Sequence, residues 1–358
     1  MRIRLLVILV ALSLVTPQVM AETLSSDSKM KLISTITGDI APKSVRASGT
    51  GFVSAHNMMY RHSVTIYDAQ TLSLVKTIPD RVDLSELGFP GYSGTHRGAP
   101  VEGAFSPDGD YLYVTNYAMY GKGFNREGTD ICRPSNNYDR SFLYRIDTAS
   151  WEIDAAYKVG VVPKVVQVSP DNKYVLVSNW CSYDLSVISI SEQKVVKTIG
   201  IGAYPRGITI SSDSKYAFVA QMGGSVVHKI ELGSWKRELL NVGSNPRALV
   251  LSPDNQKLYL TLNSSGRVGA FDIAANKMIK TVKTGNAARS LDISTDGSAL
   301  YVVNYTSDTI SKVRASDLKV LQKINVCNEP IGVTYESTNK RVWVACYGGA
   351  IKVFSDSQ

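Results

Sequence analysis

Five cations recur at one kind of position in this 358-residue sequence. Lys43 follows Pro42, Lys164 follows Pro163, Arg206 follows Pro205 and Arg247 follows Pro246, while Arg289 follows Ala288 in the matching context "GNAARSLDIS". Brought to one place, such residues would bind an anion. Two unit charges about 10 Å apart, at an effective dielectric of about 20, repel by about 1.7 kcal/mol. A cluster of this kind therefore needs an acidic neighbour, water or a bound anion. Glu102, two residues after Pro100, is the acidic neighbour the spacing offers; Val101 and Ile331 fill the equivalent position in the two remaining cases. The plainer reading is structural, with the arginines bonding loop carbonyls between repeats.

Three of the four histidines, His56, His62 and His96, fall in the first third of the chain. Gathered together they could hold copper or zinc. Their spacing specifies no ligand geometry, so no metal or other cofactor is assigned, and a hydrogen-bonded histidine is the commoner case. His228 lies within an alternating apolar run and reads as structural. Glu102, His96 and His56 are also the candidates for acid–base work. No G-x-S-x-G elbow, H-E-x-x-H helix, phosphate loop or dinucleotide fingerprint occurs.

The elements that must position these groups follow from a repeat. The landmarks Pro42, Pro100, Pro163, Pro205, Pro246, Ala288 and Pro330 are separated by 58, 63, 42, 41, 42 and 42 residues. Each opens a short β-rich run, then a Ser-Pro-Asp-type turn, then an alternating strand such as "DYLYVTN" or "KYVLVSN", then two further strands. Four short antiparallel strands per roughly 40 residues mark a β-propeller blade. After Pro330 there is room for only three strands. The missing fourth is "KLISTI", from Lys31, whose Ile36 precedes Pro42 as Ile199 precedes Pro205. The expected fold is all-β: a single seven-bladed propeller over 31–358, closed by its N-terminal strand so that no edge is left exposed.

The motif Tyr113–Asn116, "YVTN", with "LVSN" at 176–179 and "YVVN" at 301–304, resembles the YVTN-repeat propellers of secreted bacterial and archaeal surface proteins. The resemblance covers nearly the whole chain from residue 31. It implies a seven-bladed fold and export, and it says little about function, since one fold hosts many. Arginine is common at the position after the landmark in that family, which supports the structural reading of the cations.

Export agrees with the first 21 residues: Arg2 and Arg4, an apolar run from Leu5 to Val15, and small residues at Val19 and Ala21 read as a signal peptide. That run is too short to span a bilayer. Residues 22–30 are expected to be flexible, and the mature protein to be periplasmic or secreted. The formal charge of +8 is modest and does not argue for nucleic acid.

In such a propeller the innermost strand starts, and the second and fourth strands end, on one face, here the top. Two insertions, 80–98 and 117–140, are then top-face loops, and loops of this length are often functional. Cys132, in the second insertion, should pair with Cys181 at the top of blade 3, and Cys327 with Cys346 in blade 7. A bridge closing about 20 residues contributes roughly 3 kcal/mol in the chain-entropy model. The leading expectation is a monomeric, non-catalytic binding or scaffold propeller of the cell envelope. Lys43, Glu102, Lys164, Arg206, Arg247 and Arg289 would receive an anionic ligand, a glycan, a peptide or a protein partner at its top mouth. The alternatives are a lactonase- or lyase-like enzyme with a loop-built site at that mouth, and a copper- or zinc-binding redox propeller.

Overall fold

A computed structural model describes residues 28–356. The expected signal peptide, and positions 22–27 of the segment expected to be flexible, lie outside the described residues. The rest of that segment is tied down: Met30 is buried, and its amide donates to Gln322 Oε1 at 2.8 Å.

Seven antiparallel sheets succeed one another along the chain, each with its first strand innermost. They span 44–79, 82–158, 163–200, 205–241, 246–283, 288–325 and 330–355, here blades 1 to 7. Strand Lys31–Ile36 pairs with Ala350–Ser355 (Ile36 opposite Ile351, Lys31 opposite Ser355), making the N-terminus the outer strand of blade 7. The propeller and its closure are thus as the repeat predicts.

The Ser-x-Asp turns work alike from blade to blade. In blade 3, Ser169 Oγ donates to Asp171 Oδ1 at 2.7 Å and accepts from the Tyr174 amide at 2.9 Å. Blade 4 repeats this with Ser211, Asp213 and Tyr216, and blade 5 with Ser252, Asp254 and Lys257. A short polar side chain bonding its own backbone two residues on is what makes Ser and Asp turn residues. Neighbouring turns are also stitched together, as in the Asp171 amide to Ser214 Oγ at 2.9 Å.

Second strands are buried along nearly their whole length, whereas outer strands such as Leu74–Pro79 are mostly exposed. Alternation in "YVLVSN" therefore sorts residues between two neighbouring blades rather than between core and solvent. Between blades 2 and 3, Tyr113, Leu143 and Val159 meet Val166, Val175 and Ile188. At about 25 cal/mol per Å² of apolar surface, such layers supply the main favourable contribution to folding.

Blade 2 departs from the pattern. A two-residue strand, Val82–Asp83, is added to it, and the hairpin Thr95–Phe105/Tyr111–Tyr120 runs beyond the blade. Both insertions are thus partly strand, not wholly loop. They enclose a small apolar cluster containing Leu84, Met119 and Phe142, with Tyr92 and Phe124 against it.

A buried ion pair locks the ring where the chain ends meet. Lys312 Nζ lies 2.7 Å from Asp356 Oδ1 and 2.9 Å from the Ser28 carbonyl, and Tyr301 OH donates to the other Asp356 oxygen. Breaking a buried pair by removing one partner costs about 3–5 kcal/mol, because it strands the other charge. Lys312→Ala should therefore lower the unfolding free energy by roughly that amount, read from urea denaturation; a loss below about 1 kcal/mol would show that the chain-end lock is not stabilising.

Candidate functional site

The last residues of each second strand and the first of the next blade's inner strand build one assembly at the top of the channel. Thr115 Oγ1 donates to the Lys164 carbonyl at 2.9 Å, Ser178 Oγ to the Arg206 carbonyl at 2.8 Å, and Thr261 Oγ1 to the Arg289 carbonyl at 3.3 Å. In blade 4 the equivalent residue is Ala220, and contact is made by backbone instead. A Cβ on Gly207 would fall 2.3 Å from the Arg247 carbonyl oxygen, so only glycine fits there. The backbones of Lys164, Arg206, Arg247 and Arg289 are thereby fixed by the preceding blade, and the three arginines line the channel.

Two positions further along from the gripping residue stand Tyr117, Trp180, Met222, Tyr305 and Tyr347 in blades 2, 3, 4, 6 and 7. These side chains pack on the cations. Lys164 Nζ lies 4.1 Å from the Tyr117 ring centroid and 5.4 Å from that of Trp180. Arg289 covers Tyr305 at 4.1 Å, Lys43 lies 5.3 Å from Tyr347, and Arg247 Nη1 approaches Met222 Sδ at 3.5 Å. Cation–π contacts of this kind contribute about 0.5–2 kcal/mol each. Sequence reasoning missed this second ring, although the counting that found the cations finds it when moved to the end of the second strand.

Two carboxylates offset part of the charge. Glu102 Oε1 is 3.4 Å from Arg206 Nη2, a long contact, and Asp130 from the second insertion meets Lys164 Nζ at 2.5 Å. The Cys132–Cys181 bridge pins that insertion beside Trp180, whose Nε1 donates to the Asp130 carbonyl at 3.1 Å. The Cys327–Cys346 bridge joins the top of blade 7. Both pairings match the expectation from sequence.

Compensation is incomplete. Arg206 Nη1 and Arg289 Nε are buried with no hydrogen-bond partner. Arg206, Arg247, Arg289 and Glu102 line a channel cavity of about 440 Å³. Burial, then Arg289 and Arg206, push the Arg247 guanidinium well below its ordinary pKa. Lys164 is lowered to about 7, by burial first and by Arg206, against the opposing pull of Asp130. Asp130 falls to about 2: its own burial would raise it, and Lys164 outweighs that. The arginines make no hydrogen bond to loop carbonyls among the described residues, so the plainer structural reading of their side chains does not describe them.

The histidines do not join this assembly. His56 takes the place of the gripping hydroxyl in blade 1. Its Nδ1–H donates to Ser44 Oγ at 2.7 Å, and Ser44 donates to the Val101 carbonyl at 2.9 Å. Burial, with Arg46 nearby, lowers it to about 3, so the ring is neutral. His62 Nδ1 bonds the Gly98 carbonyl at 2.7 Å, and His96 Nε2 bonds the Lys122 carbonyl at 3.0 Å beside Tyr92 and Phe124. Neither His56 nor His96 lines the channel with Glu102, so the catalytic candidates are not gathered. Among the described residues, no group of three His, Cys, Asp or Glu side chains could hold a metal ion.

Fold and site together define a seven-bladed β-propeller with a cationic, aromatic-backed channel mouth. Residues 245–351 match the family described as the cytochrome D1 heme domain, which is less than half of the chain. Among solved structures, hydrazine synthase of Kuenenia stuttgartiensis superposes with a TM-score of 0.68 over 89% of this chain and 96% of that one, at 17% identity. At that identity the likeness speaks for the fold. No curated protein matches. The YVTN resemblance stands as a resemblance, with the propeller as its observed content.

Lys164 gives the mouth a pH dependence. Below about pH 7 its ammonium adds to the positive field, and above that it is lost. Sulfate affinity, measured by calorimetry, should fall as pH rises from roughly 6 to roughly 8. Lys164→Arg, which stays protonated, should flatten the profile; an unchanged profile would remove Lys164 from the anion's field.

Proposed function

We propose that this protein is an exported binding propeller that captures an anionic ligand at the top mouth of its channel. The observation that carries the reading is the pair of buried, unpartnered guanidinium donors, Arg206 Nη1 and Arg289 Nε. A buried charged donor without a partner costs more than the usual 1–3 kcal/mol for a neutral group, and a bound oxyanion removes that cost. Guanidinium forks match carboxylate and phosphate geometry. The half-buried aromatic shelf around them suits the rest of an anionic glycan or of a peptide or protein partner. Two disulfides point to an oxidising compartment, in keeping with periplasmic or secreted placement. No helix among the described residues is long and apolar enough to cross a membrane. A binding role is favoured over turnover, because His56 and His96 are held by other partners and do not line the channel cavity with Glu102.

The cytochrome D1 match raises haem as a ligand. The cations suit haem carboxylates, and the aromatic shelf suits a flat ring. Iron also takes an axial His, Met, Cys or Tyr, and here the mouth fits poorly. Its cysteines are oxidised, and Met222 sulfur accepts from Arg247. The Tyr117, Tyr305 and Tyr347 phenols are pushed up by burial, which disfavours the phenolate an iron would need. No imidazole lines the cavity.

The test is calorimetry with sulfate, citrate and pyruvate on the full protein and on the Arg206→Gln, Arg247→Gln, Arg289→Gln triple variant. Charge-assisted hydrogen bonds contribute about 1.5–3 kcal/mol each, so losing two or three should weaken binding by at least about 100-fold. Equal affinity in a variant of unchanged melting temperature would overturn the proposal. Haem titration followed by absorbance should give no spectrum of an axially ligated iron, and a stoichiometric one would replace this reading with a haem-binding one.

A further inference from the structure

Lys43 differs from the other four cations. Arg206 has Glu102, Lys164 has Asp130, Arg247 has the Met222 sulfur, and Arg289 lies on Tyr305 with a planar charge that cannot be shed. Among the described residues the Lys43 amine makes no hydrogen bond or ion pair with a side chain; it lies over the face of Tyr347. It is enclosed by its neighbours yet still reaches solvent. On the ring of cations it is separated from Arg289 only by the position held by Ile331.

From this geometry we infer that Lys43 is a carbonyl-reactive amine, and that the mouth forms a reversible imine with a small α-oxo carboxylate. The inference rests on the anion-binding reading, since the arginines would hold the carboxylate while the adjacent carbonyl carbon meets Lys43 Nζ. A lysine amine becomes a nucleophile when it is desolvated beside other cations. Both conditions hold: burial first, then Arg289, Lys164, Arg206 and Arg247, push the Lys43 ammonium well below its ordinary value. Lys164 is the less suitable amine, because Asp130 bonds it and Tyr117 and Trp180 cover it.

The step balances without an oxidant or reductant. The Nζ lone pair forms a C–N bond to the carbonyl carbon, and the C=O π pair moves to oxygen. That oxygen leaves as water with the two amine protons, carried by channel water, and a C=N bond remains. Ligands lacking a carbonyl, such as sulfate, bind without this step.

The experiment incubates the full protein with pyruvate and sodium cyanoborohydride, followed by intact mass and peptide mapping. One carboxyethyl group per chain on Lys43 is expected, with lactate and cyanoborohydride giving none. Lys43→Arg, at an unchanged melting temperature, should abolish the adduct, because a guanidinium forms no imine. Pyruvate binding by calorimetry with no adduct, or an adduct spread over surface lysines and unchanged in Lys43→Arg, would overturn the inference and leave the anion site standing. Absence of binding by sulfate, citrate and pyruvate alike would overturn both.

Discussion

Charge crowding around the propeller axis is the constraint on which the rest of this structure turns. Five inner strands each begin with a cation, and pseudo-symmetry delivers all five side chains to one mouth. Burial first, and their mutual repulsion after it, depress the affinity of Lys43, Lys164, Arg247 and Arg289 for protons. Something must hold the backbone still while the side chains repel. The hydroxyls of Thr115, Ser178 and Thr261 do so by gripping the carbonyls of the residues that carry the charge. A blade-to-blade structural bond and a candidate binding residue are thus one unit, and neither can be changed without disturbing the other.

The same unit explains what the end of a "VTN" or "VSN" strand accomplishes. Its hydroxyl fixes the neighbouring cation. Its asparagine ties down the third strand, as Asn179 Nδ2 does with Asp184 at 2.6 Å and Ser186 at 2.9 Å, and Asn304 with Thr309 and Ser311 at 3.1 Å each. The residue that follows lays an aromatic face or a sulfur against a cation. Asn116 is the exception. Its side-chain atoms are buried without partners, beside Asp80, whose carboxyl burial raises to about 7. Blade 2 has traded the regular asparagine tie for the added strand and the long hairpin that carry its insertions.

Much of this was legible in the sequence because a propeller repeats itself. Landmark spacing gave blade number and ring closure, and the topology of a blade placed Cys132 opposite Cys181 and Cys327 opposite Cys346. The cations were found because they occupy one phase of the repeat. The aromatic ring was overlooked because its members vary between Tyr, Trp and Met, so no single letter recurs. The histidines misled for a related reason. Proximity in sequence is not proximity in a propeller, where neighbouring positions on one strand face different blades. His56 is a blade clamp that happens to be an imidazole, and His96 packs within the aromatic cluster of the first insertion.

Specificity must come from the places where the symmetry fails, because seven equal cations would bind any anion in any orientation. Val101 and Ile331 remove the charge from the two sectors that flank blade 1 and leave its lysine between them. Glu102 faces Arg206, and Asp130, on a loop fastened by a disulfide, occupies Lys164. What remains open is an arc through Arg206, Arg247 and Arg289, with Lys43 beyond Ile331 at its end. On the proposed reading, an anion drawn to the arc would present the group attached to it to a single unpaired amine. That polarity, produced by two apolar substitutions and two carboxylates, is what would separate a ligand site from a merely basic channel.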